Sequence, residues 1–334
     1  MQYRAPRWLP GGQAQTIWPA LFARRYFGPK PHYRRERWDT PDGDFIDVDF
    51  AIPVQAAASL AAIEVQSPNA PLLVLFHGLE GSSHSHYAEA FADWAAQHGM
   101  QYVVPHFRGC SGEINRAPRA YHSGDYEEIG WILGRLRQQI GTRPMVAVGV
   151  SLGGNALLRW AQEAGDTAVH TLCAVASVCS PVDLTAAGHA IGRGFNRQVY
   201  TRMFLRSMKP KALERLALHP RLFDRQKLLA TRDLYEFDNL FTAPLHGFKN
   251  TDDYWHRASA KPHLHRIRIP ALVLNALNDG FVPANSLPGR SEVGPHVTLW
   301  QPQHGGHVGF TAGGAPGHVR ALPDAVGGWL KARI

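Results

Sequence analysis

The chain has 334 residues and carries 35 Lys/Arg against 27 Asp/Glu, a formal net charge of +8 with His neutral. Its 45% hydrophobic and 19% charged residues are ordinary for a globular protein and exclude a disordered chain. Cys110, Cys173 and Cys179 have no regular spacing and cannot all pair, which excludes a disulfide scaffold and a cysteine zinc module and fits a reducing compartment.

At this length a single core is near its usual upper size, so one large domain with an insertion is expected. No apolar run approaches the roughly 18 residues that a membrane-spanning helix needs. Pro6, Pro10, Gly11 and Gly12 break what would be the apolar region of a secretory signal. A soluble cytoplasmic protein is expected.

In chain order, Tyr33–Trp38 and Phe45–Ala51 flank the turn signal Thr40-Pro41-Asp42-Gly43 and predict an antiparallel hairpin. Leu72–Phe76 reads as a buried strand ending in His77-Gly78-Leu79-Glu80-Gly81, followed by a helix from about Ser85 to His98. Tyr102–Pro105 is the next strand, and a Gly-rich loop over Phe107–Gly112 follows it. Asp125–Gln139 has helical spacing, with Ile129, Ile132, Leu133 and Leu136 on one face. Met145–Val150 is a strand, Leu152–Glu163 a helix and Leu172–Val178 a strand. The alternation then lapses and resumes with strands Ala271–Asn275 and Val297–Gln301 and a closing helix near Pro323–Ala332. Parallel strands separated by helices, after a hairpin and around a late insertion, predict an α/β doubly wound sheet. The expected core is 1–183 with 263–334, and the expected helical cap insertion is 184–262.

The insertion is strongly basic. Between His189 and Arg232 stand eleven Lys/Arg and two acids, Glu214 and Asp224, a local charge of +9. Two readings stand: a solvated helical face, or a cationic cap that attracts anionic lipid or an anionic substrate.

Gly149-Val150-Ser151-Leu152-Gly153 is a G-x-S-x-G motif placed directly between a strand and a helix. A serine there projects its hydroxyl above the sheet from a strained turn, and the flanking glycines remove side chains that would collide across it. A serine hydroxyl is a poor nucleophile at neutral pH, so a base must take its proton and an acid must hold the base, in chain order Ser, acid, His. Asp279, just past the Ala271–Asn275 strand, is the leading acid, with Asp183 as rival. His307, in the loop after the last strand, is the leading base, with His304 as rival. Two amides must meet the oxyanion: Leu152 at the helix start, and Leu79 in the loop after Leu72–Phe76.

Together these segments resemble the α/β-hydrolase superfamily, and more narrowly its YheT-like branch of esterases, lipid hydrolases and acyltransferases. The resemblance spans almost the whole chain. It rests on Pro6–Leu9 with Gln15-Thr16-Ile17, His77–Gly81, Phe107–Gly112, Tyr121–Gly124, Ser151–Asn155, Phe237-Asp238-Asn239, Asn278-Asp279 and Gly306–Phe310. One departure is the run Asp125-Tyr126-Glu127-Glu128, where the branch is expected to carry Thr and a lone Asp. The resemblance implies an α/β-hydrolase fold, a Ser151–Asp279–His307 triad and a serine carboxylic ester hydrolase acting on small-molecule acyl esters without a cofactor. The alternative within the branch is acyl transfer to a small alcohol. The H-x-x-x-x-D acyltransferase signature discussed for some members is matched by His219 and Asp224, at a frequency chance alone supplies.

Two rivals come from other classes. A metal hydrolase would use His84 with His86 or His263 with His265, but no comparable ligand set accompanies them. A cationic lipid- or nucleic-acid-binding protein would use the basic insertion, which lacks an aromatic stacking ladder. Neither a metal site nor a specific nucleic-acid partner is expected.

Overall fold

The computed structural model describes residues 2–52 and 69–334. Among these, eight strands form one sheet in the order β1-β2-β4-β3-β5-β6-β7-β8. They are β1 (His32–Asp39), β2 (Phe45–Ile52), β3 (Leu72–Phe76), β4 (Gln101–Pro105), β5 (Met145–Val150), β6 (Ala174–Val178), β7 (Ala271–Leu274) and β8 (Val297–Trp300). The first two pair antiparallel in the expected hairpin, and β2 also runs antiparallel to β4. All the later pairings are parallel.

A parallel strand covered on both faces is apolar at every position rather than alternately. In β3, Leu72, Val74 and Phe76 enter one core layer while Leu73 and Leu75 enter the other. The first layer is closed by α3 (Tyr126–Ile140) and α4 (Leu152–Ala164), with Ile129, Ile132, Leu133 and Leu136 pointing inward as their spacing predicts. The second is closed by α2 (His86–Gln97) and α10 (Ala321–Lys331) through Phe91, Trp94, Leu322 and Val326. A short helix, α1 (Gly12–Leu21), precedes the hairpin.

Asp125 caps α3 by accepting from the Glu128 amide, and Glu128 accepts at 2.6 Å from the Arg108 guanidinium, so the departing acidic run serves a helix start and a buried ion pair. One strand starts later than its apolar run. The Leu172 amide donates to the Ala168 carbonyl and closes a tight turn, so Leu172 packs in the core without joining β6.

Between β6 and β7 the chain is helical: α5 (Leu184–Ile191), α6 (Arg202–Leu218), α7 (Arg225–Ala230), α8 (Leu234–Phe237) and α9 (Thr251–Ala258). Single π-helical turns over Arg197–Thr201 and Asp238–Thr242 precede α6 and follow α8. Among the described residues, no helix is long and apolar enough to cross a membrane.

Candidate active site

Ser151 occupies the turn from β5 to α4 with φ 52° and ψ −120°, left-handed backbone that a side-chain-bearing residue adopts only under constraint. Its N–H donates to the Val178 carbonyl at 2.8 Å, and the Gly154 and Asn155 amides donate to its carbonyl at 3.0 and 3.2 Å. The turn is also sterically closed. A Cβ on Gly149 would lie 2.5 Å from the Gly153 carbonyl oxygen, and one on Gly153 would lie 2.4 Å from that of His77. Both glycines of the pentapeptide are therefore required by contact.

His307 reaches this turn from the loop after β8, and Asp279 from the loop after β7. Nε2 of His307 is 3.0 Å from Ser151 Oγ, and Nδ1 is 2.8 Å from Asp279 Oδ2. The carboxylate can only accept, so Nδ1 carries the ring proton and Nε2 presents its lone pair to the serine hydroxyl. The second Asp279 oxygen accepts from the Phe281 amide at 2.7 Å. The Phe281 ring stacks on the imidazole at 4.1 Å between centroids, and the hydrogen-bonded His307 and Asp279 side chains are almost closed to solvent.

The rival residues do other work. Asp183 caps α5 by accepting from the Ala186 amide, and His304 is exposed and does not line the cleft. Asp224 caps α7, while His219 bonds to the Arg116 carbonyl. His86 bonds to the Val308 carbonyl, and burial pushes its pKa down to about 4. Among the described residues, no three His, Cys, Asp or Glu side chains converge to hold a metal ion.

The N-terminal segment braces the histidine loop, a role that sequence reasoning did not assign. The Gln15 side-chain oxygen accepts from the Gly305 amide at 3.0 Å and from the Asn278 side chain at 2.9 Å. Thr16 Oγ accepts from the His307 amide at 2.8 Å, and Asn278 in turn accepts from the Gly306 amide. The motif Gln15-Thr16 and the motif Asn278-Asp279 thus hold one loop from two sides. In the sequence Gln15-Thr16 stands only among the segments that carry the family resemblance, with no role attached. The Cys179 thiol lies beneath this loop, accepting from the Val308 amide, and burial with nearby Asp279 pushes its pKa up.

The loop after β3 approaches from the opposite side. A Cβ on Gly78 would lie 3.2 Å from Ser151 Cβ. His77 beneath it is fully buried and accepts from the Phe107 amide at Nε2, so Nδ1–H donates to the Gly78 carbonyl. Burial pushes its pKa down to about 3, which keeps the ring neutral. Leu79 and Leu152 both line the cleft beside Ser151, and neither amide has an acceptor among the described residues. Next to Leu79, Glu80 stands at φ 57°. Its N–H donates to the Tyr121 hydroxyl, which donates back to its carboxylate, and Ser207 and Lys211 of α6 meet the other oxygen, Lys211 at 2.6 Å.

Above these residues lies a cleft walled by Leu184, Ile191, Phe204, Met208, Phe237 and Phe241 from the helical segment and by Leu79, Tyr121 and Ser151 from the core. Arg215 lines it too, its guanidinium held by the carbonyls of Ala117, Pro118 and Arg119, and burial lowers its pKa to about 10. Asp238, buried and accepting from Thr242 and Trp255, is raised to about 6.

Residues 71–312 match the model of the alpha/beta hydrolase fold family. The chain belongs to that family. Within it, this α/β-hydrolase is 38% identical to the Escherichia coli (strain K12) protein named "Putative esterase YheT", over 96% of its own length and 88% of the relative's, which places it in the YheT-like branch. It is also 26% identical to human "Phospholipase ABHD3" over 92% of this chain and 73% of that protein. Among solved structures, the Pyrococcus furiosus esterase Pf2001 superposes with a TM-score of 0.53 at 15% identity, covering 94% of this chain and 99% of that one, a likeness of fold.

Proposed function

We propose that this α/β-hydrolase is a serine carboxylic ester hydrolase that works through an acyl-enzyme. The observation that carries the reading is the chain of contacts from Ser151 through His307 to Asp279, 3.0 and 2.8 Å long. Ser151 Oγ attacks the ester carbonyl carbon as His307 Nε2 takes the hydroxyl proton, and Asp279 holds the imidazole and the imidazolium that forms. The Leu79 and Leu152 amides take the oxyanion. Collapse breaks the bond to the alcohol, which leaves with the proton from His307. Water then attacks the acyl-enzyme, His307 again accepting the proton, and the carboxylic acid departs. No step calls on a metal or cofactor.

In this reading 184–262 is a cap over a core of 1–183 and 263–334. The mostly apolar cleft favours a lipid-like acyl chain, and the phospholipase name of the human relative agrees with that choice. The test is a chain-length series of p-nitrophenyl esters on the wild type and Ser151→Ala. Turnover that rises with chain length and vanishes in the variant is expected, and unchanged turnover in Ser151→Ala refutes the assignment. Adding a small alcohol to the same assay distinguishes transfer from hydrolysis, since both share the acyl-enzyme.

A further inference from the structure

The helical stretch that walls the cleft has a second face. Phe204, Met208, Lys211 and Arg215 line the cleft, whereas Phe195, Val199, Arg202, Met203 and Arg206 are exposed. Positions 195, 199, 202 and 206 follow one another at intervals of three and four, so they form one stripe along the outside. Phe195 is 51% exposed and Met203 54%, and Val199 between them is exposed as well. An aromatic and aliphatic ridge on a water-facing helix is the kind of patch that marks an interaction surface.

The charge around the ridge is equally unbalanced. Of the eleven Lys/Arg between His189 and Arg232, only Lys211 forms an ion pair among the described residues, with Glu80. Arg197, Arg202, Arg206, Lys209 and Arg232 surround a shallow groove beside the ridge. Cations that form no ion pair, gathered on one face with Glu236 as the acid near Lys209 and Arg232, leave a net positive field that acts on an anionic partner.

We propose that this outer face docks on an anionic lipid bilayer, with Phe195, Val199 and Met203 entering the headgroup boundary and Arg202 and Arg206 meeting lipid phosphates. Apolar residues between guanidinium groups suit an interface that is apolar a few ångströms below an anionic surface. A nucleic acid would use the same cations but offers nothing to Val199 and Met203. Docking would place the opposite face of the same helix, which lines the cleft, next to the lipid that supplies an acyl ester. The inference rests on the proposed function only for that consequence, and docking itself is read without turnover.

The test is cosedimentation with vesicles of phosphatidylcholine alone or mixed with phosphatidylglycerol, using the full chain. Wild type and Ser151→Ala should bind the anionic vesicles equally and the neutral ones weakly, so the docking result is independent of the catalytic assignment. The double variant Arg202→Ala with Arg206→Ala should lower partitioning about 30-fold, from the usual gain per cation at an anionic surface. Phe195→Ser with Met203→Ser should lose the binding that survives high salt. Both doubles should hydrolyse a short soluble ester as the wild type does, showing that they fold. Exposed Leu21 and Phe22 at the end of α1 provide a control site, and their serine variants should bind vesicles normally. Equal binding to neutral and anionic vesicles, no loss in either cap double, loss only in the α1 variants, or binding to a single-stranded oligonucleotide but to no vesicle would each overturn the proposal.

Discussion

His307 Nε2 lies 3.0 Å from Ser151 Oγ across a sequence separation of 156 residues, with the lone pair facing the hydroxyl because Nδ1–H donates to the Asp279 carboxylate. If that arrangement sets the protonation, Asp279→Asn should leave the fold intact and lower kcat about 10⁴-fold by favouring the wrong tautomer. Steady-state kinetics with a short ester, beside a thermal melt, check this. Activity within tenfold of wild type would transfer the role to another acid.

The brace from the N-terminal segment predicts a split between stability and chemistry. Thr16→Val removes the acceptor for the His307 amide, and Gln15→Ala removes the acceptor shared by Gly305 and Asn278. Each leaves a buried donor unmet, so each should cost about 1–3 kcal/mol of stability. If His307 on this loop is the base, as proposed, kcat should fall more than KM rises. Denaturant unfolding and kinetics on the same preparations test both parts.

Glu80 joins the loop carrying the Leu79 amide to α6 through Lys211 and Ser207. Lys211→Met keeps the stem and removes the charge. If the pair positions the loop, kcat should drop about tenfold with KM nearly constant, the pattern of a weakened interaction made in the transition state. An unchanged kcat would make the pair a tie between segments with no bearing on catalysis.

Burial lowers the pKa of several histidines, most strongly His77 and His122 to about 3, His86 to about 4 and His246 to about 3. The unfolded chain takes up these protons near pH 6.5 while the folded chain refuses them. Their stabilising contribution is thus complete above about pH 6.5 and is lost as pH falls toward the folded values. His122→Phe should flatten the decline in unfolding free energy between roughly pH 6 and 4, by up to ~1.4 kcal/mol per pH unit. A slope identical to wild type would contradict a buried neutral His122.

Much of this architecture was legible because it is local. Leu72–Phe76 and Met145–Val150 are apolar throughout, and the sheet covers both of their faces. The pentapeptide around Ser151 carries its own explanation, since each glycine marks a backbone contact within a few residues or at the neighbouring strand. What stayed hidden depends on distant pairs. Asp183 and Asp279 both follow strands, and only the fold shows that one caps a helix while the other faces His307. Gln15 and Thr16 act on a loop about 290 residues away, and Lys211 meets Glu80 across 131 positions, relationships that no period or motif encodes. The basic insertion was visible as charge, but its division into a cleft-facing and an exposed side required coordinates.

The central claim is that Ser151 is an activated nucleophile, and covalent labelling tests it most directly. The protein is treated with a fluorophosphonate and its intact mass and peptides are measured. One label per chain, on the peptide containing Ser151 and absent from Ser151→Ala and His307→Ala, is the predicted result. A folded wild-type protein that takes no label, or takes it on another residue with Ser151 untouched, would contradict the account.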